Sequence, residues 1–145
     1  MSKFYSKEHL NFLLYKVHKA QELCTLPYFE DHNQETFEMV VESAHTLSEK
    51  HLYPLHLEMD YNEPQLEDGK IKVHPAMKPL MKQFGEQGWI SANFTYEEGG
   101  QQLPSMICWA SSFIMGAANY SAVVYPGLTM GASELIRLYG SDEQK

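Results

Sequence analysis

Apolar positions fall into helical stripes along most of the chain. Ser6 is a suitable N-cap for a first helix in which Leu10, Leu13, Leu14, Val17 and Ala20 share one face. Lys16, Lys19, His9 and His18 lie off that face. The segment Leu26-Pro27-Tyr28-Phe29 breaks the helix and is too apolar for a solvated loop. A second helix begins near Asp31 to Gln34, capped by Asp31 or Asn33. Its stripe is Phe37, Val40, Val41, Ala44, Leu47 and Leu52, with Glu35, Glu38, Glu42 and Glu49 outside it. Pro54 should bend or end this helix, and Leu55 and Met59 extend the stripe beyond. Residues 60–70 read as a polar loop with a turn at Asp68-Gly69. Pro75 suits the first position of a third helix with Met77, Leu80, Met81 and Phe84 as its stripe and Gly88 as its stop. Trp89 and Ile90 should be core. Ser91 to Gly100 is a loop in which Gly99-Gly100 opens conformations closed to other residues. A plain turn and a close approach to a ligand both account for that pair.

The stretch from Gly99 to Ser133 holds no Asp, Glu, Lys or Arg, although 21% of the chain is charged. Leu103, Met106, Ile107, Ala110, Phe113, Ile114 and Ala117 form an apolar stripe there. Ser105, Cys108, Ser111, Ser112 and Gly116 make an opposite face that is small and uncharged. Asn119 interrupts the run. A second pattern follows through Val123, Val124, Leu128, Leu135, Ile136 and Leu138, with Pro126-Gly127 inside it as a kink or restart. Three readings fit: two core helices of a bundle, helices lining a pocket, or a membrane hairpin. Each run is about 16 residues, short of the ~20 that a span needs, which disfavours the last. With no sustained alternation, the fold class is all-α, a bundle of five to six helices.

Composition narrows the partners. The chain has 145 residues and is 43% hydrophobic, enough for one domain with a real core. A net charge of −8 argues against nucleic acid and against anionic membrane surfaces. The start, Met1-Ser2-Lys3-Phe4-Tyr5, has no apolar leader, and Cys24 and Cys108 read as reduced thiols; both point to a cytoplasmic protein. His51 and His56 are off the spacing that would put two metal ligands on one helix face, so no metal site is expected. Cys108 lies in an apolar run without a cation, unlike a reactive thiol. The pairs Glu58/Asp60, Glu67/Asp68 and Glu97/Glu98 read as solvated carboxylates, so no catalytic residue is expected within the chain.

An ordered series of residues is similar to a known family. Gly88-Trp89, Glu97-Glu98-Gly99-Gly100, Gly127, Gly131 and the ending Gly140-Ser141-Asp142-Glu143-Gln144-Lys145 resemble the N-terminal helical domain of acyl-CoA dehydrogenases. Tyr125-Pro126-Gly127-Leu128-Thr129 and the long leader look like the subgroup with an N-terminal extension that includes the methylmercaptopropionyl-CoA dehydrogenases. Where the family often has Pro-Glu-Glu-Tyr-Gly-Gly, this chain has Thr95-Tyr96-Glu97-Glu98-Gly99-Gly100, so only the second Glu and the glycines match in place.

The resemblance implies an extension helix and connector over 1–32 and the helical domain over 33–145, with the β-rich middle domain and C-terminal bundle absent. It implies FAD in the full-length enzyme and none bound to this chain alone. The base would lie outside this chain. Acyl-CoA and an electron acceptor would be the partners, and Tyr125, Leu128 and Thr129 would face the acyl pocket. Faces that meet the missing domains, around Ser105, Ser111 and Ser121, should be left open, which predicts a homo-oligomer. The alternative is a stand-alone helical interaction module that uses the apolar face of residues 103–138.

Overall fold

Local capping fixes where the first helices begin. A computed structural model describes residues 2–145. In it the Ser6 hydroxyl accepts from the His9 N–H at 3.2 Å and starts α1, Lys7–Asn11. A π-helical turn, Phe12–Val17, continues it, and short 3-10 segments, Ala20–Thr25 and Pro27–Phe29, carry the chain to Asn33. The Asn33 side chain accepts from the Thr36 N–H at 2.8 Å, which selects Asn33 over Asp31 as the cap of α2, Gln34–Leu47. A second π turn, Ser48–Leu52, and a 3-10 turn at Tyr53–Leu55 follow where Pro54 lacks an N–H. The chain then resumes as α3, His56–Tyr61.

The stretch expected to be only a polar loop contains a small hairpin. β1, Gln65–Glu67, pairs antiparallel with β2, Lys70–Lys72, in the register Gln65↔Lys72, Leu66↔Ile71, Glu67↔Lys70. The turn falls at the expected place. Asp68 (φ 49°) and Gly69 (φ 71°) are both left-handed, as a two-residue hairpin of matching twist requires. Three-residue strands are too short to leave a periodic signal.

α4, Met77–Glu86, starts two residues after Pro75 and buries Met77, Leu80 and Phe84. Gly88 ends it at φ 74°, with the Trp89 N–H on the Phe84 carbonyl and the Gly88 N–H on the Gly85 carbonyl, a Schellman closure. Trp89 and Ile90 are half-buried rather than core.

α5, Ser105–Tyr139, is the long element against which α2, α3 and α4 pack. Its break is at Asn119 (φ −164°, ψ 91°), while the backbone stays helical through Pro126, which corrects the expected kink at Pro126-Gly127. The Asn119 Oδ1 accepts from the Ala122 N–H at 3.1 Å, so this residue caps the second half of α5. Its Nδ2 donates to the Leu52 carbonyl at 3.1 Å.

The stripe of the first half is rotated from the expected one. Ile107, Ala110, Ser111, Ile114, Met115 and Ala118 are buried, whereas Phe113 and Ala117 are exposed. Ser111 on the inner face is small, which permits a close approach of α5 to the turn holding buried Ser48. Leader residues Leu14, Tyr15 and Ala20 belong to the same core as Phe37, Leu52 and Ile107. Helix accounts for 65% of the chain and strand for 4%, so the fold is mostly helical with one hairpin outside the all-α expectation.

Candidate functional site: an uncharged groove in the fold of α5

α5 doubles back on itself. A straight helix of its length would run about 50 Å. Yet Arg137, near its end, sits 3.5 Å from the Glu98 carboxylate, which precedes its start. The extended residue at Asn119 makes the reversal. Between the two halves and the end of α4 lies a groove of about 750 Å³. Trp109 and Phe113 line it from the first half, and Tyr120, Val124, Leu128 and Gly131 from the second. Phe84, Trp89, Ile90, Ala92 and Asn93 close the third side. Among the described residues that line it, Glu134 is the one with a charge. This is a surface for an apolar chain, since uncharged walls with few polar atoms favour burial over hydration.

Of the three residues expected at the pocket, the structure brings one to the groove. Leu128 lines it. Tyr125 packs against the core, and Thr129 is exposed with its hydroxyl donating to the Tyr125 carbonyl at 3.2 Å. The three are spaced i, i+3, i+4 and share one side of the helix, but the groove meets only the Leu128 edge of that side, and the pattern alone did not fix the rotation of the second half. Trp109 and Tyr120 were missed. Each breaks the apolar periodicity of the core face, and a large aromatic outside the stripe on an uncharged helix was the available signal.

The loop before α5 forms one wall. Gly99 (φ 78°) turns it, and the Gly100 N–H bonds to the Thr95 carbonyl at 2.9 Å. A Cβ on Gly100 would collide with the Phe94 carbonyl, so the close approach that glycine permits here is to the loop's own backbone. The Thr95 N–H donates to the Glu98 carboxylate at 3.1 Å while the Glu98 N–H donates to the Thr95 hydroxyl at 3.2 Å, a capping box. Glu98 is thus exposed, as expected of a solvated carboxylate, but tied to Thr95 rather than free.

Arg137 collects the charges at this end. Its Nε and Nη2 donate to the two Glu134 oxygens at 2.9 and 2.7 Å, and its guanidinium lies 5.3 Å from the Phe94 ring centroid. The backbone and hydroxyl of Thr95, then Arg137, hold Glu98 below the usual carboxylate range. The hydrogen bond from Arg137 does the same for Glu134, and both carboxylates in turn raise Arg137. Cys108 sits on the groove, its thiol pushed up to about 11 by burial, so it is a poor nucleophile. Both cysteines are free thiols.

Elsewhere, His56 turns its Nδ1 to the Tyr53 carbonyl at 2.6 Å, and His74 meets Glu58 at 3.1 Å. Among the described residues no group of three or more His, Cys, Asp or Glu side chains is arranged to hold a metal ion. By length and composition alone α5 is long and apolar enough to cross a bilayer. The break at Asn119 and the burial of its inner face against α2 and α3 set it apart from a lipid-facing rod.

The groove is thus apolar, formed by one doubled helix, and bordered by a loop of the Glu-Glu-Gly-Gly type. Residues 34–145 match the family described as acyl-CoA dehydrogenase, N-terminal domain. The chain belongs to the acyl-CoA dehydrogenase family. A 3-methylmercaptopropionyl-CoA dehydrogenase from Ruegeria pomeroyi is 34% identical over 92 residues, 63% of this chain and 16% of that protein. The chain therefore spans a minor part of the length of this acyl-CoA dehydrogenase relative.

Proposed function

We propose that this chain is the N-terminal domain of a flavin-dependent acyl-CoA dehydrogenase, which removes α- and β-hydrogens from an acyl-CoA thioester. Its part is to supply a wall of the acyl pocket, and alone it is inactive. The observation that carries this reading is the apolar groove within doubled α5, in a chain of this family. Leu128 and the aromatic pair Trp109 and Tyr120 would bury an acyl chain and exclude water from it. Tyr125 and Thr129, given their directions, would act from behind by setting the path of the second half of α5.

FAD in the full-length enzyme would accept the hydride, and the base would be a carboxylate outside this chain. The residues described do not fit a flavin. The groove is lined by no Lys, Arg or His, and Glu134 at its edge would repel a diphosphate. An electron acceptor, a homo-oligomeric state and a cytoplasmic location complete the proposal. A second reading, a helical interaction module using residues 103–138, is favoured by the large exposed side chains of that face, Trp109 and Tyr120 each 74% exposed.

Two measurements separate these readings. The protein from its native source should have a mass several times 16.7 kDa. Its flavin should bleach on anaerobic addition of a substrate acyl-CoA, while this chain alone shows no turnover. A native mass equal to that of this chain would overturn the dehydrogenase reading and leave the module.

A further inference from the structure

Three features stand together at the open end of the groove. The wall loop carries Ala92 and Asn93 into the groove and is closed on itself just before α5 by the Leu103 N–H on the Ala92 carbonyl at 3.0 Å. The far end of the same loop, at Phe94 and Glu98, meets Arg137 from the returning half of α5. Arg137 is also locked by two hydrogen bonds to Glu134, the charged residue on the groove. A lone surface ion pair is worth little, but here one guanidinium, 25% exposed and oriented by its bidentate pair with Glu134, meets the loop twice, at the Glu98 carboxylate and over the Phe94 ring.

We propose that Arg137 is the positioning residue of the groove. It clasps the doubled helix closed, pins the wall loop through Glu98 and Phe94, and neutralises Glu134 so that an apolar chain can lie beside it. The clasp fixes the width of the groove and with it the size of the chain accepted. The last clause rests on the acyl-pocket reading; the clasp itself does not. On its other side the loop is tied to the leader, where the His32 ring meets the Gln102 carbonyl at 3.1 Å. Loss of the clasp should therefore loosen one wall rather than unfold the loop.

The two cysteines give a readout free of ligand. Cys108 lies on the groove, while Cys24 lies in the 3-10 segment Ala20–Thr25 and serves as an internal reference. Iodoacetamide labelling is followed by mass spectrometry for each thiol. R137Q and E98Q should each raise the Cys108 rate relative to Cys24 by about fivefold or more, the factor expected when a local contact of this strength is lost. The double variant should do no more than either single one. E134Q, whose amide oxygen still accepts from Arg137 and which leaves the Glu98 tether in place, should raise the ratio less than E98Q does, and R137K should restore part of it. An unchanged ratio in E98Q, an isosteric change on an exposed loop, overturns the clasp. So does an E134Q effect as large as that of E98Q.

The second arm is titration with 11-(dansylamino)undecanoic acid. Binding that is weakened about fivefold in R137Q, by the same contact-loss argument, supports the link to chain acceptance. Failure of the unsubstituted chain to bind this probe would overturn the acyl-pocket reading, with the labelling ratios still deciding the clasp.

Discussion

Asn119 joins the two parts of the core. Its side chain does two jobs in a buried setting: the oxygen caps the second half of α5 and the amide satisfies the Leu52 carbonyl, left over where Pro54 breaks the preceding helix. Asn119→Leu removes both partners and strands a buried N–H and a buried C=O. Each such group costs about 1–3 kcal/mol, so the variant should lose roughly 2–6 kcal/mol. A chemical-denaturation midpoint within experimental error of the unsubstituted chain would show that the cap is dispensable. Asn119→Asp should recover less than it keeps, because it preserves the acceptor, loses the donor and buries a charge. Cys108 offers a check of a different kind. A thiol held at about 11 has, at pH 8, about a hundredfold less thiolate than one at the ordinary value of 9.0. Its alkylation should therefore lag far behind that of a free cysteine and keep rising through pH 10.

At the element scale, the start of α1 and the stop of α4 were readable from single residues, and the start of α2 was narrowed to Asp31 or Asn33. Ser6, Asn33 and Gly88 act through side-chain oxygens or a left-handed φ, and those are local properties of the sequence. The facing of α5 was not readable. The first half of α5 carries no charge on any side and so has no solvated face to set its rotation, and Ser111 went inward and Phe113 outward. The choice between Asn119 and Pro126 as the break was decided by packing, because the Leu52 carbonyl that Asn119 needs lies far away in sequence. The groove follows from that break, so its aromatic wall was hidden for the same reason.

The loop wall yields a firmer expectation. Gly100→Ala would push a methyl group into the Phe94 carbonyl, and backbone cannot yield as a flexible side chain can. The expected loss is about 1–3 kcal/mol, the range for an overpacked site. Gly69→Ala, where nothing is close and only the left-handed φ opposes the change, should lose about 1 kcal/mol. Equal losses in thermal melts of the two variants would remove the steric account of Gly100.

The whole molecule carries an acid-sensitive end and an uncovered face. Glu98 and Glu134 are both held below the ordinary value of 4.5. Their contribution to stability is therefore complete above that value and is lost as pH falls through their folded values. The melting temperature of the unsubstituted chain should exceed that of Glu98→Gln at pH 7, and the gap should close below pH 4; a gap that widens on acidification would reverse the assignment.

The uncovered face has the wider consequence. Trp109, Tyr120 and Leu128 are more than 70% exposed, and no charge interrupts the sequence between Gly99 and Ser133 to keep two such faces apart. Dehydrating about 100 Å² of apolar surface is worth roughly 2.5 kcal/mol, and a patch of a few hundred Å² rivals the loss of motional freedom on pairing. The isolated chain should therefore show a weight-average sedimentation coefficient that climbs with concentration in the micromolar range. Tyr120→Glu with Leu128→Glu should flatten that curve and leave the helical circular dichroism unchanged, because both side chains point away from the core. If the unsubstituted chain sediments as a monomer throughout, the net charge of −8 outweighs the patch, and the aromatic face is a surface that water tolerates rather than one that a covering partner completes.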